Sequence, residues 1–365
     1  MKILAFETSC DDTSIAIFEN EKLVCMHTKS QIKIHNETGG VVPEVASREH
    51  ANVIFDVLDD VLKEWKVTLQ DIDYIAVTTH PGLVPSLLTG ITVASTLSET
   101  LKIPILPIDH IQAHIFSNFL EREESEIEFP LVCLTVSGGH NEIYYMPDMW
   151  SREKLGQTQD DAAGEAFDKV AKMMGLGYPG GPIVSKLAAE YTWNSTQLFP
   201  RVFLEKSEFG FSFSGLKSAV KREVDKRHSL RSSTTSLYEG GSQKKVPPSR
   251  GGCHESDRGS LTLEDQQEIS FEFQAAVNEV LCYKLIHAAE EKRVRTIMLA
   301  GWVSANNDLN VRISQAAQKL WLTFFAPIKK LYCMDNAAMI GILAYYRIKY
   351  KQFEEKIWTV ELGRW

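Results

Sequence analysis

Two of the ten histidines in this 365-residue chain, His110 and His114, stand four residues apart in the stretch HIQAH, directly after the apolar run ILPID. At that spacing both imidazoles fall on one face of a helix, one turn apart, close enough to share a metal ion. Two nitrogens leave such an ion short of ligands. Unless a third donor joins them, the rings would simply cap a helix or line a cleft. The pattern is not the H-E-x-x-H of a zinc protease, because Ile111 stands where the general-base glutamate would be.

A second group with chemical potential is the turn SGGH, Ser137 to His140. Gly138 and Gly139 carry no Cβ, so backbone N–H groups there can approach a phosphate or a carbonyl closely. Ser137 adds a hydroxyl, and His140 could donate to an oxyanion or relay a proton. A tight hairpin with no ligand would use the same residues. A third group is the carboxylate pair Asp11 and Asp12, which could hold a magnesium ion or orient a nucleophile, or could only brace an Asx-type turn.

The elements around these groups follow from hydrophobic periodicity. KILAFE, then TSCDDTS, then IAIF reads as strand, polar turn, strand. LVCLTV, SGGHN and EIYYM repeat that plan, which points to an internal duplication. Helical spacing covers residues 48–65, 85–100, 168–174, 264–292, 305–320 and 336–350, alternating with short apolar strands at 72–77, 103–108 and 296–300. Such alternation predicts an α/β protein whose helices cover mostly buried sheets. Paired β-turn-β units, each with small or acidic residues in the turn, fit a cleft between two similar domains, as in the actin, sugar kinase and Hsp70 (ASKHA) type of fold.

Length and 44% hydrophobic content allow a substantial core divided between two domains. The expected boundaries are 1–130 for the first, completed by a C-terminal helix at about 335–365, and 131–334 for the second. A net charge of -9 excludes a surface built wholly for nucleic acid, yet residues 215–252 hold nine basic and three acidic side chains, a local balance of +6. Within this stretch, residues 227–260 are rich in Ser, Gly, Lys and Arg, and a flexible insertion is expected there. The six cysteines form no C-x-x-C pair, only four apolar residues separate Lys2 from Glu7, and the longest uncharged stretch, 74–98, contains prolines and many hydroxyls. A soluble, cytoplasmic protein with no membrane partner is expected.

Seven motifs in order carry a resemblance over nearly the whole chain: ETSCDDTSIAIF (7–18), GGVVPEVASREH (39–50), HIQAH (110–114), VSGGHNEI (136–143), DDAAGEAFDKVAKMMGLGYPGGP (160–182), FSFSGLKSAV (211–220) and DNAAMIG (335–341). Together they resemble the TsaD/Kae/Qri family of tRNA N6-adenosine threonylcarbamoyltransferases. The resemblance implies an acyltransferase of tRNA modification that moves a threonylcarbamoyl group from threonylcarbamoyl-AMP to N6 of adenosine 37 in tRNAs reading codons that begin with A (t6A biosynthesis). It implies Asp335 as the third ligand beside His110 and His114, a two-histidine, one-carboxylate set for one divalent metal, iron(II) favoured and zinc possible. It implies substrate contacts from Thr135, Val136, Ser137, Gly138, Gly139, Asp168, Gly181 and Asn306, with Asp168 placed to meet a ribose hydroxyl. Catalytic roles for Asp11, Asp12 and His140 are expected from their own chemistry. ATP or threonylcarbamoyl-AMP is the implied nucleotide ligand. The implied partners are tRNA, TsaB-like and TsaE-like proteins, and a TsaC/Sua-type synthase that supplies the acyl-adenylate.

Four positions depart from the family pattern: His80 in HPG, Pro85, Trp302 after Gly301, and Asn310. Asp12 stands where most relatives have glutamate. An indole at 302 is expected to occupy space left open for the adenosine, and to be strained if its φ is positive. Competing readings are an actin-like-fold ATPase or phosphotransferase, in which Asp11 is central and the histidine pair incidental, and a nucleotide-binding scaffold of a complex.

Overall fold

The computed structural model describes residues 1–203, 209–238 and 260–353. In chain order the first half runs β1 (Lys2–Glu7), β2 (Asp12–Glu19), β3 (Lys22–Ser30), α1 (Ile32–Thr38), α2 (Pro43–Trp65), β4 (Tyr74–His80), α3 (Val84–Leu101), β5 (Ile105–Asp109) and α4 (His110–Phe116). The second half runs β6 (Leu131–Val136), β7 (Asn141–Met146), β8 (Glu153–Gln157), α5 (Ala163–Met173), α6 (Gly180–Glu190), α7 (Ser214–Tyr238), α8 (Leu263–Lys292), β9 (Thr296–Ala300), α9 (Asn307–Lys319), β10 (Thr323–Phe325), α10 (Lys330–Cys333) and α11 (Ala337–Lys349).

The two five-stranded sheets have orders β3-β2-β1-β4-β5 and β10-β9-β6-β7-β8. Read from the other edge, the second is β8-β7-β6-β9-β10, strand for strand the plan of the first. The directions repeat too. β1 pairs antiparallel with β2 and parallel with β4, while β6 pairs antiparallel with β7 and parallel with β9. The duplication expected from the paired hairpins is therefore present, and the α/β ASKHA-type architecture with it.

Central strands are apolar on both faces, as β6 (LVCLTV, buried throughout) illustrates, because helices cover both sides. Three clusters form the core. One joins the first sheet to α2 and α3 through Leu4, Phe6, Val57, Val61 and Leu87. Another joins the second sheet to α5, α8 and α9 through Val132, Phe167, Phe273 and Ile313. The third lies between the sheets, where α4 and α11 contribute Ile111, Phe116, Ile340 and Leu343 beside Ile3, Leu131 and Met298. Gly341 of α11 permits this packing, since a Cβ there would lie 2.3 Å from the Phe18 ring. The layer that carries the histidine pair is thus clamped by both halves of the duplication.

Several elements depart from expectation. Strands β3, β8 and β10 and helices α1 and α6 add to those legible in the periodicity. The stretch 227–238, expected to belong to a flexible insertion, continues α7 as helix; the rest of that insertion, 239–259, lies outside the described residues. Arg227 explains the continuation, for it pairs with Glu223 one turn back and with Asp265 (3.0 Å) and Glu268 (2.7 Å) of α8. Lys217 likewise pairs with Asp161, so part of the +6 stretch is neutralised within the fold. The C-terminal helix ends at Lys349, and 354–365 also lie outside the described residues. Among the described residues no helix is long and apolar enough to cross a membrane.

Candidate active site

β5 delivers His110 directly. The strand ends at Asp109, whose carboxylate accepts the Gln112 N–H at 3.0 Å and so caps α4, whose first residue is His110. One turn on, His114 is fully buried, its ring edge-on to that of His110 with centroids 4.6 Å apart. Asp335, in the loop before α11, completes the group. Its Oδ1 lies 3.1 Å from His114 Nε2 and 3.5 Å from His110 Nε2. The three donor atoms lie within 4.8 Å of one another. Asn336 fixes this loop by capping α11 at Met339 N (3.1 Å).

Sequence reasoning missed Glu7. Fully buried at the end of β1, its Oε2 meets His110 Nδ1 at 3.1 Å and accepts from the Thr78 hydroxyl at 2.5 Å, while its Oε1 accepts the Ser9 N–H at 2.5 Å. Ser9 also lies against His110 Nδ1, at 3.2 Å. The only available signal was an acidic residue ending an otherwise apolar strand. A carboxylate behind a ligating histidine fixes its tautomer and raises its basicity.

Burial alone would pull the His110 imidazole down, but Glu7 and Asp335 outweigh it and hold the ring well above its ordinary pKa. Burial would push Asp335 up, but His110 and His114 hold its carboxyl far below the usual range. His114 is kept below its ordinary value by burial.

Around this group opens a cleft of about 360 Å³, which His110 and Asp335 line together with Asp11, Asp12, Asp168, Tyr178 and Trp302, and with Ser137 to His140 of the β6–β7 turn. The two hairpin turns of the duplicated sheets therefore face one cavity. Within the SGGH turn, Ser137 N donates to His140 O (2.8 Å) and His140 N to Ser137 Oγ (3.1 Å). The start of α5 holds the turn from behind, Gly164 N and Glu165 N donating to Ser137 O and Gly138 O. A Cβ at Gly164 would lie 2.7 Å from Ser137 O, whereas one at Gly139 would meet nothing within 4 Å. Burial keeps the His140 imidazole below its ordinary pKa and therefore neutral.

Burial also raises the acids. Asp12 is pushed up to about 7, and its Oδ1 is a buried oxygen without a hydrogen-bond partner. Asp168 is pushed up to about 6 although its Oδ1 accepts the Gly180 N–H at 2.7 Å, capping α6. Asp11 is raised by burial and by Asp335. Among the described residues no Lys or Arg lines the cleft beside its four carboxylates. The lining is acidic, and two imidazoles, one of them backed by Glu7, together with the Asp335 carboxylate form a donor set that fits a divalent transition metal.

Four expected contact residues stand elsewhere. Thr135 and Val136 are buried within β6 beneath the turn. Gly181 is in the first turn of α6, behind Asp168 rather than in the cleft wall. Asn306 caps α9 through Leu309 N (3.0 Å) and donates to Ser185 Oγ (3.0 Å) and Gln274 Oε1 (2.8 Å), so its amide is engaged in joining helices.

The departures are also accommodated. Pro85 sits in the first turn of α3, where a missing N–H costs nothing. Asn310 donates to Ser304 O (2.6 Å) and Asn306 O (2.9 Å). At 301–302 the positive φ falls on Gly301 (84°), whose Cβ position is 2.4 Å from Val136 O, and not on Trp302. The strain expected of Trp302 is absent. Its indole instead stands beside Gly138 and Gly164 in the cleft wall.

The sequence model of the TsaD family, tRNA N6-adenosine threonylcarbamoyltransferase, matches residues 22–342. The chain is 41% identical over 353 residues to the tRNA N6-adenosine threonylcarbamoyltransferase of Persephonella marina, covering 96% of this chain and 91% of that one. To the protein of the same name from Staphylococcus epidermidis it is 43% identical over 347 residues, covering 94% and 91%. Among solved structures it resembles HypF of T. kodakarensis (TM-score 0.55, 12% identity, 96% of this chain and 48% of that one). It also resembles component A of the Acidaminococcus fermentans (R)-2-hydroxyglutaryl-CoA dehydratase (TM-score 0.50, 12% identity, 96% and 99%). At such identities these likenesses concern the fold alone.

Proposed function

The chain belongs to the tRNA N6-adenosine threonylcarbamoyltransferase family and serves t6A biosynthesis, and we propose that it transfers threonylcarbamoyl from threonylcarbamoyl-AMP to N6 of adenosine 37 in tRNAs reading codons that begin with A. The observation that carries this reading is one cleft in which the His110, His114 and Asp335 group is joined by the SGGH turn.

An exocyclic adenine amine is a weak nucleophile because its lone pair is delocalised into the ring, so the rate must come from the acyl side. In the transfer, a bond forms between N6 and the carbamoyl carbon, the bond from that carbon to the AMP oxygen breaks, and AMP departs with the electron pair. His110, His114 and Asp335 would hold a divalent metal, iron(II) by family resemblance, which supplies Lewis-acid polarisation when bound. Glu7 orients His110 for that task. The Gly138 and Gly139 amides are the donors proposed to meet charge developing on the departing side. Asp168 takes a ribose hydroxyl through the oxygen not spent on capping. Asp12, with a pKa near neutrality and an unpartnered oxygen, accepts the proton that N6 loses. Asp11 and His140 position the reacting groups. The cleft excludes water that would otherwise hydrolyse the mixed anhydride. A single-stranded anticodon loop presents its base at little unstacking cost.

A tRNA substrate implies a cytoplasmic setting. The exposed Lys221 and Arg222 of α7 are candidates for phosphate contact. Family resemblance supplies the remaining partners, a TsaB-like and a TsaE-like protein and the TsaC/Sua-type synthase. The test is AMP release from threonylcarbamoyl-AMP with and without tRNA, in the presence of those partners. tRNA-dependent release is the expected result; release of ADP and phosphate from ATP with no tRNA dependence would favour the phosphotransferase reading, and no product at all the scaffold.

A further inference from the structure

Among the described residues, a second group of mixed donors lies away from the cleft, where α2 covers the edge strand of the first sheet. Cys25 and His27 are two residues apart on β3 and so present their side chains to one face. Glu64 belongs to the last turn of α2. His27 Nε2 lies 2.5 Å from Glu64 Oε2, and one donor atom from each of the three residues lies within 4.8 Å of the other two. We propose that Cys25, His27 and Glu64 form a zinc site that clips β3 to the end of α2.

The frame that holds these donors is regular structure, not a loop. Cys25 and His27 are opposite Ile17 and Ile15 in the β2–β3 ladder, and Val57, Leu58 and Val61 of α2 pack with Cys25 in one core cluster. Further along the same face Lys29 pairs with Asp56 of α2 at 3.2 Å, which fixes the register of strand against helix. The three side chains thus meet without any backbone rearrangement.

One thiolate, one imidazole and one carboxylate suit Zn²⁺, whose open fourth position takes water. Sulfur excludes the hard cations Mg²⁺ and Ca²⁺, and among borderline metals the affinity order places zinc above iron. Cys25 is 4% exposed, whereas the His27 and Glu64 side chains are 36% and 61% exposed. The cation therefore has a solvent path in and a wet face for its fourth ligand. Without a cation, burial and Glu64 push the Cys25 thiol up to about 11. On binding, the thiol proton passes to solvent and the S–H bond is replaced by S–Zn.

Cobalt(II) titration of the full chain tests this, because a thiolate-to-cobalt charge-transfer band reports sulfur ligation, which the His110, His114 and Asp335 group cannot supply. The expected result is a band that is displaced by Zn²⁺, vanishes in Cys25→Ser, and in the His110→Ala/His114→Ala variant persists and saturates at one equivalent. Zinc should also raise the melting temperature of that double-histidine variant, but not once Cys25→Ser is added to it. Cys10 lines the cleft near Asp335, so a band lost in Cys10→Ser and retained in Cys25→Ser would overturn the proposal. Absence of any band would overturn it as well. If Cys25→Ser does not fold, the exposed change Glu64→Gln should weaken zinc binding about tenfold, and unchanged affinity would contradict the assignment.

Discussion

The two sheets repeat one strand order, yet their first hairpin turns have opposite chemistry. The β1–β2 turn brings Asp11 and Asp12, with Glu7 just before it, and stands beside the histidine pair. The β6–β7 turn brings Gly138 and Gly139 with a neutral His140. One half gathers negative charge that calls for a metal; the other offers backbone amides to an anion. A duplicated scaffold lets each copy specialise, and the proposed transfer uses both at one cavity.

The largest effect should come from removing the imidazoles proposed as metal ligands beside the acidic turn. His110→Ala/His114→Ala should abolish stoichiometric metal binding in the cleft and lower transfer by at least ~100-fold, with circular dichroism unchanged. Full metal retention, after allowing for the Cys25 group, would sink the ligand assignment. Glu7→Gln keeps the shape but removes the charge behind His110. It should weaken metal affinity ~10–100-fold and act on transfer through occupancy, so that excess metal restores much of the rate. A rate that excess metal leaves low would mean Glu7 touches substrate.

On the amide side, Trp302→Gly opens space next to Gly138. Titration calorimetry should find threonylcarbamoyl-AMP or ATP bound several-fold more tightly; weaker binding would identify the indole as a stacking contact.

A pH-dependent effect concerns Asp12. Its folded pKa is raised to about 7 from 3.8, so protonation favours the folded state and that contribution is lost as pH rises through 7. Asp12→Asn should therefore stabilise the metal-free protein at pH 8 by ~1–3 kcal/mol, with the gain shrinking toward zero near pH 4, as read from urea unfolding. A gain independent of pH would mean that the carboxyl is not held in its raised state.

Much of this contrast is legible in the sequence because both turns are local. HIQAH, SGGH and CDD each declare their chemistry within a few residues, and β1, β6 and β9 are apolar runs that sheet burial on both faces demands. Glu7 escaped because its partner, His110, is 103 residues away and meets it only through the β1–β4–β5 pairing. Asn306, expected as a contact, also caps α9, a role that the same letter serves. The extension of helix α7 was hidden by a composition poor in core formers, and Arg227 at its start is held by ion pairs to α8. Strand β3, whose Cys25, His27 and Lys29 alternate toward α2, was masked by a polar edge.

The most direct test of the central claim is mass spectrometry of tRNA from a cell that lacks its own threonylcarbamoyltransferase and carries this chain. The account predicts that threonylcarbamoyl-adenosine returns with the unaltered chain and stays absent with the His110→Ala/His114→Ala variant. Equal restoration by both would contradict the role assigned to the histidine pair, and restoration by neither, with soluble protein and partners present, would contradict the activity itself.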